Sequence, residues 1–400
     1  MRPVKVLNVI NDLSGDGGAE VALATTLRNL GANRVEAWVG IVFGSGRNEL
    51  QVGIPAERVV NLGFRRRAYA DPIAFERLRR FLVRERFDVV HAQLFDASLV
   101  GRIAALVARI PATVVTVQNS PPERKAWCVR ADQILAKRTT QMVAISHAVA
   151  RHAADELGVP EDRFRIIPNG VEPVDTVPND SDEVRALRRE LRLRPEQVIL
   201  LAVGSLAEQK GHSVLLGAMP HVVARHPDVV LLLAGKGRLQ GSLEDQARSL
   251  RIDDRVRFLG SRSDVPQLLG IADIFVMPSL WEGLGVALLE AAVHGVPAVA
   301  SRVDGIVEII EDGASGVLVE PSDPADLVRG LEVLLGSETL RSRMGCLARE
   351  RVHDRYGAAR VAGLLTELYE ELAPQAGSDT AARVGPVGAA SAVGSDHSAS

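Results

Sequence analysis

Cysteine is scarce in this 400-residue chain: only Cys128 and Cys346 occur, far apart and without C-x-x-C spacing. That excludes a disulfide framework and a cysteine-based metal site, and it reads as a reduced, cytosolic protein. Charge of one sign is lacking too. With 47 basic and 50 acidic residues the net charge is −3, so no nucleic-acid footprint is present. No segment approaches the ~20 consecutive apolar residues that span a bilayer. The opening run, Met1 to Ile10, is too short and too interrupted for a secretory leader. Among the His, Cys, Asp and Glu residues no cluster has metal-ligand spacing. The reading is therefore a cytoplasmic protein, soluble or peripheral on the inner face of a membrane.

What is present is an ordinary globular composition, 46% hydrophobic, on a chain long enough for about two cores. Branched apolar runs read as strands at 4–10, 35–43, 59–62, 88–92, 113–118, 142–146 and 164–167, with helical stretches at about 72–85, 97–109, 123–138 and 147–157. Such alternation predicts a parallel sheet covered on both faces. Pro168-Asn169-Gly170 ends this half, and a polar, proline-bearing segment over 171–183 reads as a linker. The alternation then restarts, with strands at 198–203, 229–234, 256–259, 274–277, 298–300 and 316–319. Helices are predicted at about 212–225, 239–251, 285–294, 323–336 and 338–353. The apolar spacing over 354–373 predicts an amphipathic last helix, and 374–400 reads as a disordered Ala/Gly/Ser/Val tail.

Three strand–loop–helix passages carry the chemistry. In the first, Asn11 to Glu20 follows the opening strand and holds Gly17 and Gly18. It is not G-x-G-x-x-G, and a tight turn without ligand remains an alternative. In the second, Val203 to His212 places Lys210 at a helix start, where a cation is disfavoured unless an anion is bound, with an ordinary solvated lysine as the alternative. The third is Pro278-Ser279-Leu280-Trp281-Glu282-Gly283-Leu284-Gly285-Val286-Ala287-Leu288-Leu289-Glu290. Here a buried strand runs into a loop whose glycines let a ligand approach the backbone, and the helix start offers free N–H groups to an anion. Glu282 in the loop and Glu290 in the helix suit a diphosphate joined to two hydroxyl-rich groups, one carboxylate for each. The plain alternative is a helix start whose acids complement its dipole.

The paired glutamates, together with these glycine loops, resemble the signature of the retaining glycosyltransferases of family 4, over roughly residues 1–370. The resemblance implies the GT-B fold: two Rossmann-like domains facing a cleft. Residues 1–170 would bind the acceptor and 184–353 the donor, and the helix 354–373 would cross back onto the first domain. It implies a metal-independent, retaining transfer from a nucleotide-diphosphate sugar, UDP-linked ahead of GDP-linked, to a hydroxyl of a glycan, glycolipid or small molecule. No cofactor is expected. Glu290 would hold the ribose hydroxyls and Glu282 the transferred sugar. Gly17, Gly18, Gly283, Leu284, Gly285 and Val286 would offer backbone to the donor, with Lys210 on its diphosphate. Gly235 and Arg262 would stand in the loops beside the nucleotide.

Two positions depart from the family pattern. Ser205 stands where an arginine is usual and offers one neutral hydrogen bond in place of a charged fork. Gln118, in Thr116-Val117-Gln118-Asn119, stands where a histidine is common near the reacting carbon, and it carries no proton at neutral pH. A polar strand end is an equal reading for Gln118. His91 reads as a core or cleft residue. Asp180-Ser181-Asp182 spells D-x-D but lies in the linker, away from any strand end. Arg65, Arg66 and Arg67 form a basic cluster that is either a solvated turn or a contact for an anionic membrane surface. The alternatives in function are a sugar-nucleotide epimerase on the same architecture and a non-catalytic sugar-nucleotide-binding partner.

Overall fold

The structure, a computed structural model, describes residues 2–13, 17–43, 52–65, 71–119, 124–174 and 181–373. Arg66, Arg67, Asp180 and the stretch from Pro374 onward lie outside the described residues. The first half builds seven strands: β1 (Val4–Ile10), β2 (Val35–Ile41), β3 (Val59–Asn61), β4 (Val89–Gln93), β5 (Ala112–Val117), β6 (Gln141–Ala144) and β7 (Phe164–Ile166). They form one sheet in the order β3-β2-β1-β4-β5-β6-β7. The second half builds six: β8 (Val198–Val203), β9 (Val229–Ala234), β10 (Val256–Gly260), β11 (Ile274–Met277), β12 (Ala298–Ser301) and β13 (Gly316–Val319). Their order is β10-β9-β8-β11-β12-β13, and the pairings in both sheets are parallel. Each sheet reverses its order beside its first strand, at β1/β4 and at β8/β11. Ligands of open α/β sheets bind at such reversals, beyond the carboxyl ends of the strands.

The strands are apolar on both faces because helices cover both. Leu200, Leu231, Leu233 and Val276 pack to one side of the second sheet, while Ile199, Leu201, Leu232 and Phe275 pack to the other. The first sheet repeats this, with Val6 and Val39 on one face and Leu7, Val9 and Val90 on the opposite one. Several helices start on side chains that accept from the free backbone N–H groups of their first turn: Asp71, Ser146, Ser181, Asp323 and Ser337.

Three short helices were not legible in the sequence pattern: Asp182–Glu190, Val265–Ile271 and Asp304–Ile309. The first begins inside the segment read as linker, with Ser181 capping it and Asp182 in its first turn. The predicted break before the last helix also moves. The helix from Glu338 continues to Tyr356, Gly357 is extended, and a separate helix runs over Ala358–Leu372. The break has a cause: Val171 N donates to Tyr356 O at 2.9 Å and Ala358 N donates to Val171 O at 2.9 Å. The two crossings between the halves are thereby bonded to each other. The last helix packs on the first sheet, where Val361, Leu365, Leu368 and Tyr369 join Leu23, Leu27 and Val6. Arg34 grips Glu370 through two hydrogen bonds of 2.9 and 2.5 Å at its outer face.

Candidate active site

The site is built from three loops that leave the carboxyl ends of β1, β8 and β11. After β11, Gly285 takes φ +86, a left-handed conformation that a side chain would strain, and caps the helix Val286–Val293. Across the gap, the helix Gly18–Asn29 begins at Gly18. A methyl on Gly18 would stand 3.4 Å from Val286 Cγ2. Two helix amino ends from different sheets therefore meet over one gap, and each directs N–H groups and the positive end of a dipole toward it.

Lys210 and Glu282, 72 positions apart, are brought into direct contact. The ammonium donates to Glu282 Oε1, which also accepts from Ser279 Oγ at 3.1 Å. Both side chains are largely buried, 19% and 7% exposed, so the charge of each is compensated by the other. The loop carrying Lys210 is tied to the one carrying Glu282 in two further places: Leu280 N donates to Gln209 O at 2.7 Å, and Gln209 Nε2 donates to Trp281 O at 3.0 Å.

Glu290 lies one turn into the helix, half-buried, and among the described residues no donor reaches its carboxylate. Burial without a partner pushes its carboxyl up to about 7. A desolvated, unpaired carboxylate beside a helix start is out of place in a plain structural role. His212, at the start of the helix His212–Arg225, is also buried, and neither ring nitrogen has a side-chain partner among the described residues. Burial, reinforced by the Lys210 charge, lowers its pKa to about 4, so it is neutral at physiological pH.

The remaining predicted positions fall as follows. Gln118 does not project freely: Nε2 donates to Gln93 Oε1 at 3.0 Å, and Oε1 accepts from Asn169 Nδ2 at 3.0 Å. These three amides line a small pocket with His91, Thr116 and Thr26. His91 bridges Tyr369 Oη and Thr116 Oγ1, both at 2.7 Å, and burial lowers its pKa to about 3. It is a buried connector between the first sheet and the last helix. Arg262 is occupied by Asp264, at 2.7 and 2.6 Å, and by Glu190 at 2.9 Å. Its pKa is raised by those bonds. Gly235 N donates to Gly260 O at 2.8 Å and closes the β9 loop against β10. Ser205 is exposed at the mouth of the β8 loop. Arg65 is exposed, away from these loops.

Sequence reasoning missed Gln93, Asn169 and Ser279 as parts of the site, although the last two lie inside motifs it singled out. It also missed the contact across the cleft. Gly283 rests on the opposite half, where a Cβ would overlap the Gln118 carbonyl and stand 3.2 Å from Ile145 Cδ1. The expected outcome for Gly283→Ala is a cleft held ajar. A misplacement of about 1 Å at the reacting centre costs up to ~10²-fold, so turnover falls steeply while affinity for the free nucleoside diphosphate expected from the sequence stays within a few-fold. Steady-state kinetics with a nucleotide titration checks this.

With this geometry in hand, comparison with known proteins decides the family. The family described as "Glycosyl transferases group 1" matches residues 183–351, and "Glycosyltransferase Family 4" matches residues 16–174. A D-inositol 3-phosphate glycosyltransferase of Salinispora arenicola is 30% identical over 310 residues, 71% of this chain and 69% of that protein. The chain belongs to glycosyltransferase family 4. A UDP-Gal:alpha-D-GlcNAc-diphosphoundecaprenol alpha-1,3-galactosyltransferase of Escherichia coli is 27% identical over 309 residues, covering 74% of this chain and 78% of its own. The enzyme has the GT-B fold. The crystal structure of Anabaena Alr3699/HepE in complex with UDP and glucose superposes with a TM-score of 0.81 at 23% identity, over 92% of this chain and all of that one. The chain is thus a glycosyltransferase and not an epimerase on a shared architecture.

Since Arg262 is already engaged, Ser205→Arg should tighten nucleoside-diphosphate binding. A charged hydrogen bond is worth about 1.5–3 kcal/mol, reduced at this exposed position, so the gain is ~3- to 10-fold by calorimetric titration. Unchanged affinity would assign the charge to another group, such as Lys236.

Proposed function

We propose that the enzyme transfers a sugar, with retention and without a metal ion, from a UDP-sugar to a hydroxyl of a glycan, glycolipid or small-molecule acceptor. One observation carries this reading: the helix Val286–Val293, which bears the unpaired, half-buried Glu290, starts against the amino end of the helix Gly18–Asn29, and the Lys210–Glu282 pair stands in the loops beside that start. The amides and Lys210 suit a diphosphate and stabilise the charge it gains as the glycosidic bond breaks. Glu290 accepts from the ribose hydroxyls, and Glu282 faces the sugar. The acceptor oxygen attacks from the side the diphosphate leaves, and its proton passes to the departing diphosphate oxygen. Gln118 takes no proton and serves to shape the floor. The names of relatives that use UDP-linked donors and the UDP-bound structural neighbour support the nucleotide. A thermal-shift panel of UDP-, GDP- and ADP-sugars tests it. Stabilisation by UDP-sugars first is expected, and a response to GDP- or ADP-sugars alone would overturn it.

A lipid-linked acceptor at an anionic bilayer fits the outer face of the first half. Three helices lie side by side there, Pro72–Glu85, Phe95–Ala108 and Ala126–Ala136. Ile73, Val83, Leu106, Val107, Trp127 and Ile134 on them are exposed, six of the nine exposed large apolar residues among those described. Residues 72–86, 95–109 and 124–138 hold twelve Lys and Arg against four Asp and Glu, in a chain whose net charge is −3. Trp127 lies at the cleft end of its helix, against Phe95. The enzyme should sediment with phosphatidylglycerol vesicles, less so as salt rises. Trp127→Ser with Ile134→Ser should weaken this and leave UDP binding intact. Equal sedimentation with neutral vesicles would contradict the electrostatic part.

A further inference from the structure

One contact between the halves is made by a helix amino end and two groups that reach it from the donor side. The helix His147–Leu157 starts at Ser146, which is fully buried. Ser146 Oγ accepts from Val149 N at 3.1 Å, as a cap does, and donates to Gly283 O at 2.7 Å in the opposite half. The next two free N–H groups, of His147 and Ala148, are taken by Glu308 of the opposite half, at 3.2 and 3.0 Å. A helix amino end that would otherwise turn to solvent is thus completed by the other domain, with a carboxylate at its positive pole.

Glu308 is carried on the short helix Asp304–Ile309, and that helix is fitted to the same loop. Gly305 N lies 3.4 Å from Glu282 O, and a Cβ on Gly305 would overlap the Gly283 carbonyl. Tyr356 Oη donates to Glu308 O at 3.1 Å and fixes the helix from behind. Loop 282–285 and helix Asp304–Ile309 are therefore packed as one piece, which meets the first half at the amino end of the helix His147–Leu157 and at the Gln118 carbonyl.

We propose that Ser146 and Glu308 are positioning residues: they latch the cleft shut and, by holding the Gly283 carbonyl, set the place of Glu282 against the sugar. The latch itself is independent of the donor, whereas its effect on turnover rests on the reading of Glu282 as the sugar-side carboxylate. Opening the cleft would release three bonds at once, which ties closure to the placement of a reacting-centre group.

The test compares wild type with Glu308→Gln, Glu308→Lys, Ser146→Ala and Ser146→Thr. Small-angle scattering gives the radius of gyration with and without saturating UDP. UDP affinity comes from calorimetry and turnover from UDP release with UDP-glucose. Glu308→Lys places a cation at a positive helix end and should enlarge the radius in both conditions. Glu308→Gln keeps one of the two acceptor oxygens and turns an NH2 donor toward the other backbone N–H, so its radius should fall between those of wild type and Glu308→Lys. Ser146→Ala should lower kcat about tenfold with KM for the donor and UDP affinity nearly unchanged, and Ser146→Thr, which keeps the hydroxyl, should restore it. A role in stability alone would lower melting temperature without separating kcat from KM. Equal radii for wild type and Glu308→Lys overturn the latch. Wild type that binds no UDP overturns the donor reading, while the ligand-free radii still judge the latch.

Discussion

Replacing Glu282 by Gln is expected to lower kcat by about 10²-fold, on the order of 3 kcal/mol, with free UDP affinity left within about twofold. The carboxylate is held from two sides, by Lys210 and by Ser279 Oγ at 3.1 Å, so its position is fixed before any sugar arrives. UDP alone lacks the transferred sugar that it would face. During transfer the ring carbon gains positive charge as the bond to the diphosphate breaks. A fixed negative charge beside it then counts for more than it does in the ground state. Gln keeps the shape and loses that charge. Turnover by UDP release, set beside a UDP titration, reads both effects. A plain helix-start acid would show a small loss of stability and unchanged kcat.

Replacing Glu290 by Gln should move stability and binding in opposite directions. Burial raises the Glu290 carboxyl from 4.5 in the unfolded chain to about 7 in the folded, ligand-free enzyme. Between those values the folded state holds a proton that the unfolded state has lost. Stability contributed by the neutral acid is therefore complete below about pH 4.5 and lost as pH rises to about 7. Gln removes that loss. At pH 8 the ligand-free variant should be more stable than wild type by on the order of 2 kcal/mol, allowing for its partial exposure, and at pH 5 the two should nearly coincide. Thermal melts at both pH values check this. Binding should follow the reverse course. On the proposed assignment two ribose hydroxyls would donate to the ionised carboxylate, so UDP affinity of wild type should rise as pH passes about 7, while that of the variant stays low and flat.

The architecture was legible because parallel strands buried on both faces leave unbroken branched runs, such as Val198–Val203 and Val229–Ala234. Helices with a full apolar stripe, such as His212–Arg225, were equally plain. Short helices were not, because six to nine residues give too little periodicity to register, and Asp304–Ile309 was missed for that reason. In the site, Lys210, Glu282 and Glu290 could each be singled out from local spacing, but the Lys210–Glu282 bond joins loops after different strands, and only the sheet order brings those together. Arg262 shows the limit from the other side. Its charge invites an anion, yet Asp264 two residues on and Glu190 far upstream take its donors. Glu308 gave no local signal, since its partners are backbone amides of the other half.

The division of labour between the two glutamates is tested most directly by calorimetric titration of UDP into wild type, Glu282→Gln and Glu290→Gln at pH 8. The predicted result is wild-type affinity for Glu282→Gln and a loss of tenfold or more for Glu290→Gln, the ~1.4 kcal/mol expected when a charged acceptor is removed. Equal affinities in all three proteins would contradict the assignment of Glu290 to the nucleoside and with it the placement of the donor in this cleft.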